Sequence, residues 1–395
     1  MRIGIIGAGQ VGTTLGRAWT GLGHEVIYTG RDRASTRRAV EASEVVALAV
    51  PWAAVGEALA AAGDLEDKVL VDVTNPIGPG FALTHGHTTS GGEEVAALAK
   101  NARVVKAFNT TGLENMASPS YGARRVVMPV AGDDPGAVAT VVGLASGMGF
   151  EAVPLHGLAH ARELEPFGML WIKLAMEWGY GRSVAFAIAR REAGDERPPP
   201  ATARHVRRRI AVVGGGHIGG ALARGWQSAG HDVRVVGRDG LADGATDRDV
   251  VAFAVPAGAV AGAARAMGGL AGRIVIDCTN AIAKGMKLEV GHTTSSAEEL
   301  AKALPDARVV RAFNQQGAEV LENPIFGGQR ATSFVAADDP EARRVVATLS
   351  EDLGLDAVPA GPLSSSRYLE PITLLWIAMA QSIGSRQYGL SLVRR

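Results

Sequence analysis

Two glycine-rich turns are the residues of this sequence with the clearest chemistry. They read Gly7-Ala8-Gly9-Gln10-Val11-Gly12 and Gly214-Gly215-Gly216-His217-Ile218-Gly219. Each follows a short apolar run and precedes a stretch with helical periodicity, so each predicts a strand, a tight turn and a helix. In such a unit the glycines allow the turn and the close approach of a pyrophosphate, and the free N–H groups at the helix start bind its oxygens. Both turns therefore predict a dinucleotide site.

The end of the second predicted strand indicates which dinucleotide is bound. It reads Tyr28-Thr29-Gly30-Arg31 in the first half and Val235-Val236-Gly237-Arg238 in the second. NAD sites usually carry an Asp or Glu here for the ribose hydroxyls. Glycine removes that carboxylate, and the planar guanidinium of arginine holds a 2′-phosphate. The pattern favours NADP over NAD, and we interpret Asp32 and Asp239, one residue further on, as loop or helix-cap residues.

Two further strand ends place polar and turn-forming residues where a dinucleotide crosses the sheet. Pro51 and Pro256 follow the third strand of each half, and Asn75 and Asn280 follow the fourth. Ligands of parallel sheets bind at the carboxyl ends of the strands, so these residues are candidates for contact with the nicotinamide ribose. Turn chemistry is an equal alternative, because Thr-Asn-Pro is a good turn in its own right.

The fifth strand ends in an aromatic residue and an amide in both halves, Phe108-Asn109 and Phe313-Asn314. The amide is suited to fix a carboxamide, so these residues are candidates for an acceptor pocket; strand packing with a turn asparagine is the alternative. His87 and His292 are further pocket candidates, and the nearby Ser and Thr residues are expected to cap helices. We find no metal-ligand spacing and no catalytic-triad signature.

Composition excludes several classes of protein. The chain has 395 residues, a formal net charge of zero and 47% hydrophobic residues. A balanced charge gives no reason to expect nucleic acid or an anionic membrane as partner. No apolar run approaches the roughly 18 residues of a membrane span, and the start of the chain predicts a strand rather than a signal peptide. The single cysteine, Cys278, is compatible with a reducing cytoplasm, which we expect as the location.

The sequence repeats itself over its whole length. Gly7 matches Gly214 and Arg31 matches Arg238 at a distance of 207 positions, whereas Pro51 matches Pro256 at 205, so a net deletion of two residues falls between Arg238 and Pro256 in the second copy. Identity at so long a period indicates duplication of a domain. We predict a first domain at 1–190, a Pro- and Arg-rich linker at 191–208 and a second domain at 209–395.

Strands and helices alternate within each copy. In the first copy we predict seven strands, and we expect Pro166 to open a last helix that runs toward Arg190. Such alternation predicts an α/β fold, with two tandem Rossmann-type, doubly wound and mostly parallel sheets arranged as a pseudo-dimer. The fused chain has the option of further homo-oligomerisation.

Taken together, these motifs resemble the NADPH-dependent coenzyme F420 reductase family. The resemblance rests on the glycine turn, Gly-Arg, Thr-Asn, Val-Val-Lys-Ala-Phe-Asn at 104–109, Ala-Gly-Asp-Asp at 131–134 and Arg-Glu-Leu-Glu-Pro at 162–166, most of which recur in the second copy. It implies that Gly7, Gly9, Gly12, Arg31 and Asn75 hold NADP and that Phe108 and Asn109 lie near the nicotinamide. Simple members of the family look like one copy that dimerises.

The resemblance implies hydride transfer between NADPH and a deazaflavin, coenzyme F420. That step needs two flat rings held face to face and no protein acid or base. An NADPH-dependent reductase of an imine, a carbonyl or a flavin is the alternative, and it would need a proton donor such as His87, His292, His160 or Tyr180. A dinucleotide-binding sensor or scaffold without catalysis is the third hypothesis.

Overall fold

The computed structural model describes residues 1–29, 32–196 and 206–395. Contacts divide the chain into two compact units. The first comprises Met1–Ile188 with Gln381–Ile383 and Val393–Arg395, and the second comprises Ala189–Ala380 with Gly384–Leu392. We call them the first and second domains, and we assign each helix or strand that extends across this division to the domain that holds most of its residues.

In the first domain, helices follow most of the strands, as the alternation predicted. Its elements are β1 Arg2–Ile6, α1 Gln10–Gly21, β2 Glu25–Tyr28, α2 Arg33–Glu41, β3 Val45–Leu48, α3 Val55–Ala62, β4 Val69–Asp72, α4 Gly91–Leu98, β5 Arg103–Lys106, α5 Leu113–Ala117, β6 Ser120–Tyr121, β7 Arg124–Arg125, β8 Val127–Gly132, α6 Pro135–Gly147, β9 Glu151–His156, α7 Ala161–Met176 and β10 Val184–Arg190.

Seven of these strands form one sheet in the order β2-β1-β3-β4-β5-β8-β9. All neighbours are parallel except β5 and β8, which run antiparallel. One core cluster joins the sheet to Trp19 of α1 and Leu144 of α6, and another joins it to Leu59 of α3 and Val95 of α4. Helices therefore cover both faces, and the predicted doubly wound, mostly parallel fold is confirmed.

The second domain repeats this architecture. Its elements are β11 Arg209–Val213, α8 His217–Ser228, β12 Asp232–Val236, β13 Val250–Phe253, α9 Ala257–Met267, β14 Ile274–Asp277, β15 Ile282–Ala283, β16 Lys287–Leu288, α10 Ser296–Ala303, β17 Arg308–Arg311, α11 Ala318–Glu322, β18 Ile325–Phe326, β19 Gln329–Arg330, β20 Thr332–Ala337, α12 Pro340–Asp352, β21 Asp356–Pro359, α13 Ser366–Ile383 and β22 Tyr388–Arg394. The sheet order is β12-β11-β13-β14-β17-β20-β21, which is the order of the first sheet.

The predicted two-residue deletion falls in a connection that differs between the two domains. In the first domain α2 spans nine residues between β2 and β3. In the second, the corresponding connection holds a three-residue 3-10 helix, Arg238–Gly240, followed by turns. The deletion therefore shortens the connection that follows the predicted phosphate-binding arginine.

The end of the first domain differs from the sequence-based expectation. Helix α7 begins at Ala161, so Pro166 lies inside it rather than at its start. The helix ends at Met176, and the residues expected to continue it form strand β10 instead. The run Val184-Ala185-Phe186 is apolar and contains β-branched and aromatic residues, which favour a strand over a helix extension.

Part of the predicted linker belongs to the second domain. Arg191 donates hydrogen bonds to Ile325 O and Asn323 O at 2.8 and 2.9 Å, and the Asp195 carboxylate accepts from Gly327 N and Gly328 N. Residues 197–205, which include the three consecutive prolines, lie outside the described residues. No helix within the described ranges has the length and apolar character needed to cross a membrane.

Candidate cofactor and acceptor site

The first glycine turn has the geometry that its spacing predicts. Gly7 adopts φ of +107°, a conformation that side chains rarely tolerate. A methyl group on Gly7 would lie 2.4 Å from Ala49 O, and one on Gly12 would lie 2.0 Å from Gly7 O. Around Gly9 a methyl group would meet no described atom within 4 Å. Gly7 and Gly12 are thus required for the turn itself, whereas Gly9 leaves space on its open side.

That open side faces a cleft of about 450 Å³ at the carboxyl ends of β1 and β3. Its walls include Gly7, Gly9 and Thr29, all predicted to bind the cofactor, together with Val50 and Glu57. The cleft lies beside the start of α1, where free backbone N–H groups attract phosphate. Of the other predicted residues, Gln10 and Pro51 are exposed and Val11 is half-buried.

The start of α1 is available for a ligand because no side chain of the described residues caps it. Its N-cap is Gly9, and its first turn holds no acidic residue. By contrast, α2, α4 and α6 begin with Asp32, Ser90 and Asp134, each of which accepts a backbone N–H of its own helix. Capping side chains satisfy the first N–H groups of a helix, so an uncapped start needs water or an anion.

The second glycine turn has the same backbone. Gly214 adopts φ of +102°, and a methyl group on Gly219 would lie 1.9 Å from Gly214 O. Helix α8 begins at the N-cap Gly216, again with no capping side chain in the described part of the chain. His217 and Gly216 are exposed and Ile218 is half-buried. The duplication has therefore kept the turn.

The predicted phosphate-binding residue of the first domain, Arg31, lies outside the described residues together with Gly30. The Asp32 carboxylate accepts hydrogen bonds from Ser35 N at 2.9 Å and Ser35 Oγ at 2.7 Å, so its interpretation as a helix cap is confirmed. These bonds lower the pKa of Asp32. In the second domain Arg238 and Asp239 are exposed in the 3-10 helix, and Pro256 is exposed at the N-cap of α9.

The two predicted amides of the first domain meet at the ends of β4 and β5. Asn75 Nδ2 donates to Asn109 O at 2.9 Å, and Asn109 Nδ2 donates to Asn75 Oδ1 at 3.0 Å and to Leu164 O at 3.1 Å. Asn109 is buried, and its Oδ1 has no hydrogen-bond partner among the described residues. A methyl group on Gly168 of α7 would lie 2.5 Å from Asn109 O. Glycine therefore allows α7 to approach this pair.

The prediction that the rings of Phe108 and Phe313 line a pocket is wrong. Both residues are buried, and each packs edge-to-face on a tryptophan, Trp19 and Trp226, at 5.8 and 5.6 Å between ring centroids. Both adopt φ of +63°, which turns the chain at the strand end and directs the ring into the core. The sequence pattern predicted the turn, but the ring belongs to the hydrophobic core.

The basic residue of the same motif, Lys106, is part of a buried ion triad. Its Nζ lies 2.9 Å from Asp72 Oδ2, 2.9 Å from Glu165 Oε1 and 2.7 Å from Thr74 O, and all three ionisable side chains are buried. Burial opposes the charge of Lys106, but Asp72 and Glu165 outweigh it and raise the pKa of Lys106. Glu165 also accepts from two backbone N–H groups at the start of α4. The triad ties β4, β5, α4 and α7 together.

The second domain repeats the triad with Arg311 between Asp277 and Glu370. Arg311 NH1 lies 2.6 Å from Asp277 Oδ2, but its NH2 is 3.6 Å from Glu370 Oε1. Ser296, in place of Gly91, donates to Glu370 from its hydroxyl at 2.6 Å. Arg311 Nε and NH2 and Glu370 Oε2 have no hydrogen-bond partner in the described part of the chain. This triad is less completely bonded than the first.

The loops before α4 and α10 contain the predicted histidines and hydroxyl residues. Ser90 and Ser295 cap these helices, which confirms that expectation for the two serines. His87 and His292 are half-buried and adopt φ of +61° and +62° in equivalent turns. Within the described ranges, no three His, Cys, Asp or Glu side chains group in a way that could hold a metal ion. No sequence pattern pointed to Phe81, which lies in the first of these loops.

Comparison with known proteins adds a family. Residues 32–76 match the family described as NADP oxidoreductase coenzyme F420-dependent. Metalloreductase STEAP3 of Rattus norvegicus is 32% identical over 178 residues, which cover 42% of this chain and 36% of the relative. Metalloreductase STEAP2 of Homo sapiens is 30% identical over 132 residues, covering 32% and 26% respectively. The chain thus spans about a third of these curated relatives or less.

Among solved structures, one similar chain is a putative F420-dependent NADP-reductase from Arthrobacter sp. FB24. It is 27% identical, with a TM-score of 0.44, and the match covers 46% of this chain and 96% of that one. The family and the relatives are oxidoreductases by name, as the sequence predicted. The family match supports the resemblance over residues 32–76, and the second domain repeats the strand order of the first.

Proposed function

We propose that this protein is a cytoplasmic NADPH-dependent reductase that passes a hydride to oxidised coenzyme F420. The observation that carries the proposal is the uncapped start of α1, which opens with Gly9 onto the cleft. Free N–H groups and the positive end of the helix dipole favour a pyrophosphate there. The residues present therefore fit a dinucleotide, with Gly9 at its phosphates and with Gly7 and Gly12 forming the turn that presents Gly9.

The residues after β2 support NADP as the donor. Arg31 supplies the planar cation that suits a 2′-phosphate, and the carboxylate nearest to it in sequence, Asp32, is occupied with the start of α2. A carboxylate that caps a helix is held away from the role of ribose acceptor. Thr29 and Thr36 are among the residues that line the cleft.

The strand ends support hydride transfer without a protein acid. Asn75 and Asn109 are amides that titrate at no accessible pH, and the buried Lys106 at the end of β5 has its charge fixed between two carboxylates. When bound, the nicotinamide supplies the hydride. The protein then has to orient two rings and exclude water, which this packed strand end is suited to do.

Anaerobic mixing of the purified protein with NADPH and oxidised F420 tests the proposal, with NADH in parallel. We expect the deazaflavin absorbance to fall with NADPH and to stay unchanged with NADH. No absorbance change with NADPH demonstrably bound would refute F420 as acceptor and direct the search to imines, carbonyls and flavins. In that case His87→Phe should abolish turnover if His87 donates the proton.

Arg31→Ala tests the cofactor assignment separately. We expect NADPH binding to weaken by about a hundredfold, since a charge-assisted bidentate pair contributes about 3 kcal/mol, while NADH binding changes less than threefold. Isothermal titration with both nucleotides measures this difference. Equal losses for NADPH and NADH would contradict the 2′-phosphate assignment.

A further inference from the structure

The two domains keep the same scaffold but differ at the carboxyl edge of their sheets. Both retain the glycine turn, the buried triad and the left-handed turn at the end of the fifth strand. The side chains around the predicted nicotinamide position, however, have changed between the copies. From Pro51 onward, each residue of the first copy has a counterpart 205 positions later, so the second domain serves as an internal comparison for these residues.

The first difference concerns the buried amide. Asn109 Oδ1 has no partner within the described residues, and leaving a buried acceptor unpaired costs about 1–3 kcal/mol. Its counterpart Asn314 Oδ1 accepts from Gln315 Nε2 at 2.7 Å. In the first domain the residue in the place of Gln315 is Thr110, which is too short for this bond. The first domain thus keeps an acceptor that the second domain satisfies internally.

The second difference concerns the helix that covers this amide. Gly168 of α7 is replaced by Thr373 in the second domain. The Thr373 hydroxyl lies 2.8 Å from Asn280 Oδ1 and 2.5 Å from Asn314 O, and it donates to one of them. At this position of the covering helix, the second domain therefore has the side chain of threonine, whereas the first domain has only the hydrogen atom of glycine.

The third difference is a set of aromatic and charged side chains in the first domain, Trp52, Phe81, His85 and Lys173, which we call the rim. Phe81 lies at the tip of the loop after β4, is 49% exposed and adopts φ of +58°. Lys173 of α7 places its Nζ 5.9 Å from the centre of that ring and also pairs with Glu177. Lys173 is five residues beyond Gly168, which is about 7.5 Å along a helix. The contact between Phe81 and Lys173 thus lies further along α7 than Gly168, the residue that covers the Asn75–Asn109 pair.

The rim continues toward β3 and is missing from the second domain. Trp52 packs edge-to-face on His85, with 5.2 Å between ring centroids. The counterparts of Trp52, His85 and Lys173 are Ala257, Val290 and Ala378, and Phe81 becomes Met286. Met286 keeps the backbone, with φ of +57° and 48% exposure. The loop conformation is thus conserved between the copies, while its aromatic and charged side chains are confined to the first.

We infer that the chain carries one acceptor site, in the first domain, and that Phe81 contacts the acceptor there. An exposed aromatic side chain in a left-handed conformation has two free-energy costs: its apolar ring is exposed to water, and its backbone is strained. A ring stacked on it would recover the first of these costs. Lys173 positions the ring from the helix side. This inference rests on the proposed function for the identity of the probe used below.

Titration of the NADP⁺-loaded protein with oxidised F420, followed by the deazaflavin fluorescence, tests the inference. We expect one F420 bound per chain. Phe81→Ala should weaken that binding about tenfold, the loss typical of one aromatic contact, with NADP⁺ affinity unchanged. Met286→Ala is the matched control, because it removes an equally exposed side chain at an equivalent backbone position, and it should change F420 binding less than twofold.

Each outcome decides between the two claims. Two F420 per chain, equal effects of the two variants, or no F420 binding to the loaded wild-type protein would overturn the single-site inference. If one F420 binds and depends on Phe81 but is not reduced by NADPH, the proposed hydride transfer fails and the site assignment stands. If F420 is reduced and the two variants behave alike, the reaction stands and the site assignment fails.

Discussion

Removing the charge of Lys106 should destabilise the first domain severely. In Lys106→Met the side-chain volume is nearly kept, but Asp72 and Glu165 lose the cation that lies 2.9 Å from each of them. Both carboxylates are buried, at 0% exposure, so water cannot replace it. Breaking a buried ion pair on one side costs about 3–5 kcal/mol, because an uncompensated charge stays inside the protein. We therefore expect the free energy of unfolding of the first domain to fall by that amount.

Arg311→Met in the second domain is the matched control. Arg311 also lies between two buried carboxylates, but two of its nitrogens have no hydrogen-bond partner among the described residues. Its native triad thus already contains unsatisfied groups, and fewer bonds are lost when the cation is removed. We expect a smaller loss of stability than for Lys106→Met.

Urea unfolding followed by hydrogen exchange and mass spectrometry separates the two domains, which a single optical transition would not. Peptides within 69–106 and 161–176 report the first domain, and peptides within 274–311 report the second. At a slope of about 2 kcal/mol per molar urea, the expected loss moves the midpoint of the first domain by roughly 2 M. A loss of unfolding free energy below about 1 kcal/mol for Lys106→Met, or a larger loss for Arg311→Met, would contradict a stabilising role of the Lys106 triad. The triad would then not be what holds β4, β5, α4 and α7 together.

Two further predictions concern the glycine turn and one concerns pH. Gly12→Ala should prevent stable folding of the first domain, since its methyl group would lie 2.0 Å from Gly7 O; soluble yield and circular dichroism check this. Gly9→Ala should fold normally, because its methyl group meets no described atom, yet weaken NADPH binding about tenfold in titration calorimetry. Burial raises the pKa of Glu93, but the hydrogen bonds of Arg162 and Ser90 outweigh it and lower that pKa below 4.5. The stabilisation is therefore complete above pH 4.5 and is lost as the pH falls through the lowered value. Glu93→Gln should cost about 1 kcal/mol or less at pH 7 and nothing near pH 2, measured by thermal unfolding; an equal cost at both would contradict the ion pair.

The parts of the fold that depend on local pattern follow from the sequence. Strands β1, β3 and β4 coincide with short apolar runs that end at Gly7, Pro51 and Asn75. Such runs are buried on both faces of a parallel sheet, so hydrophobicity alone places them. The glycine turns also follow from the sequence, because the spacing of three glycines meets the steric requirements of the turn.

The parts that depend on tertiary contact do not follow from it. Helix α2 is made of Arg33–Glu41, a charged segment with little apolar periodicity, and we did not predict it. Lys106 was predicted only as a basic residue at a strand end, since its partners Asp72 and Glu165 are 34 and 59 positions away in the sequence. Which of the two faces of the turn receives the Phe108 ring depends on Trp19, which lies on a helix far earlier in the chain. Packing between different helices and strands determines these features. A sequence pattern within one helix or strand carries no information about that packing.

The comparison between the copies separates what the fold requires from what the site requires. Asp72, Lys106 and Glu165 have charged counterparts in the second domain, so selection on folding explains them without any ligand. Gly168, Trp52, His85 and Lys173 have counterparts of different size or charge, and the second domain folds with the same strand order all the same. The strand order therefore does not require them. These residues differ between the copies around an amide oxygen, Asn109 Oδ1, that has no hydrogen-bond partner among the described residues, whereas Asn314 Oδ1 has one. Such a pattern is expected for a site that was needed once per chain.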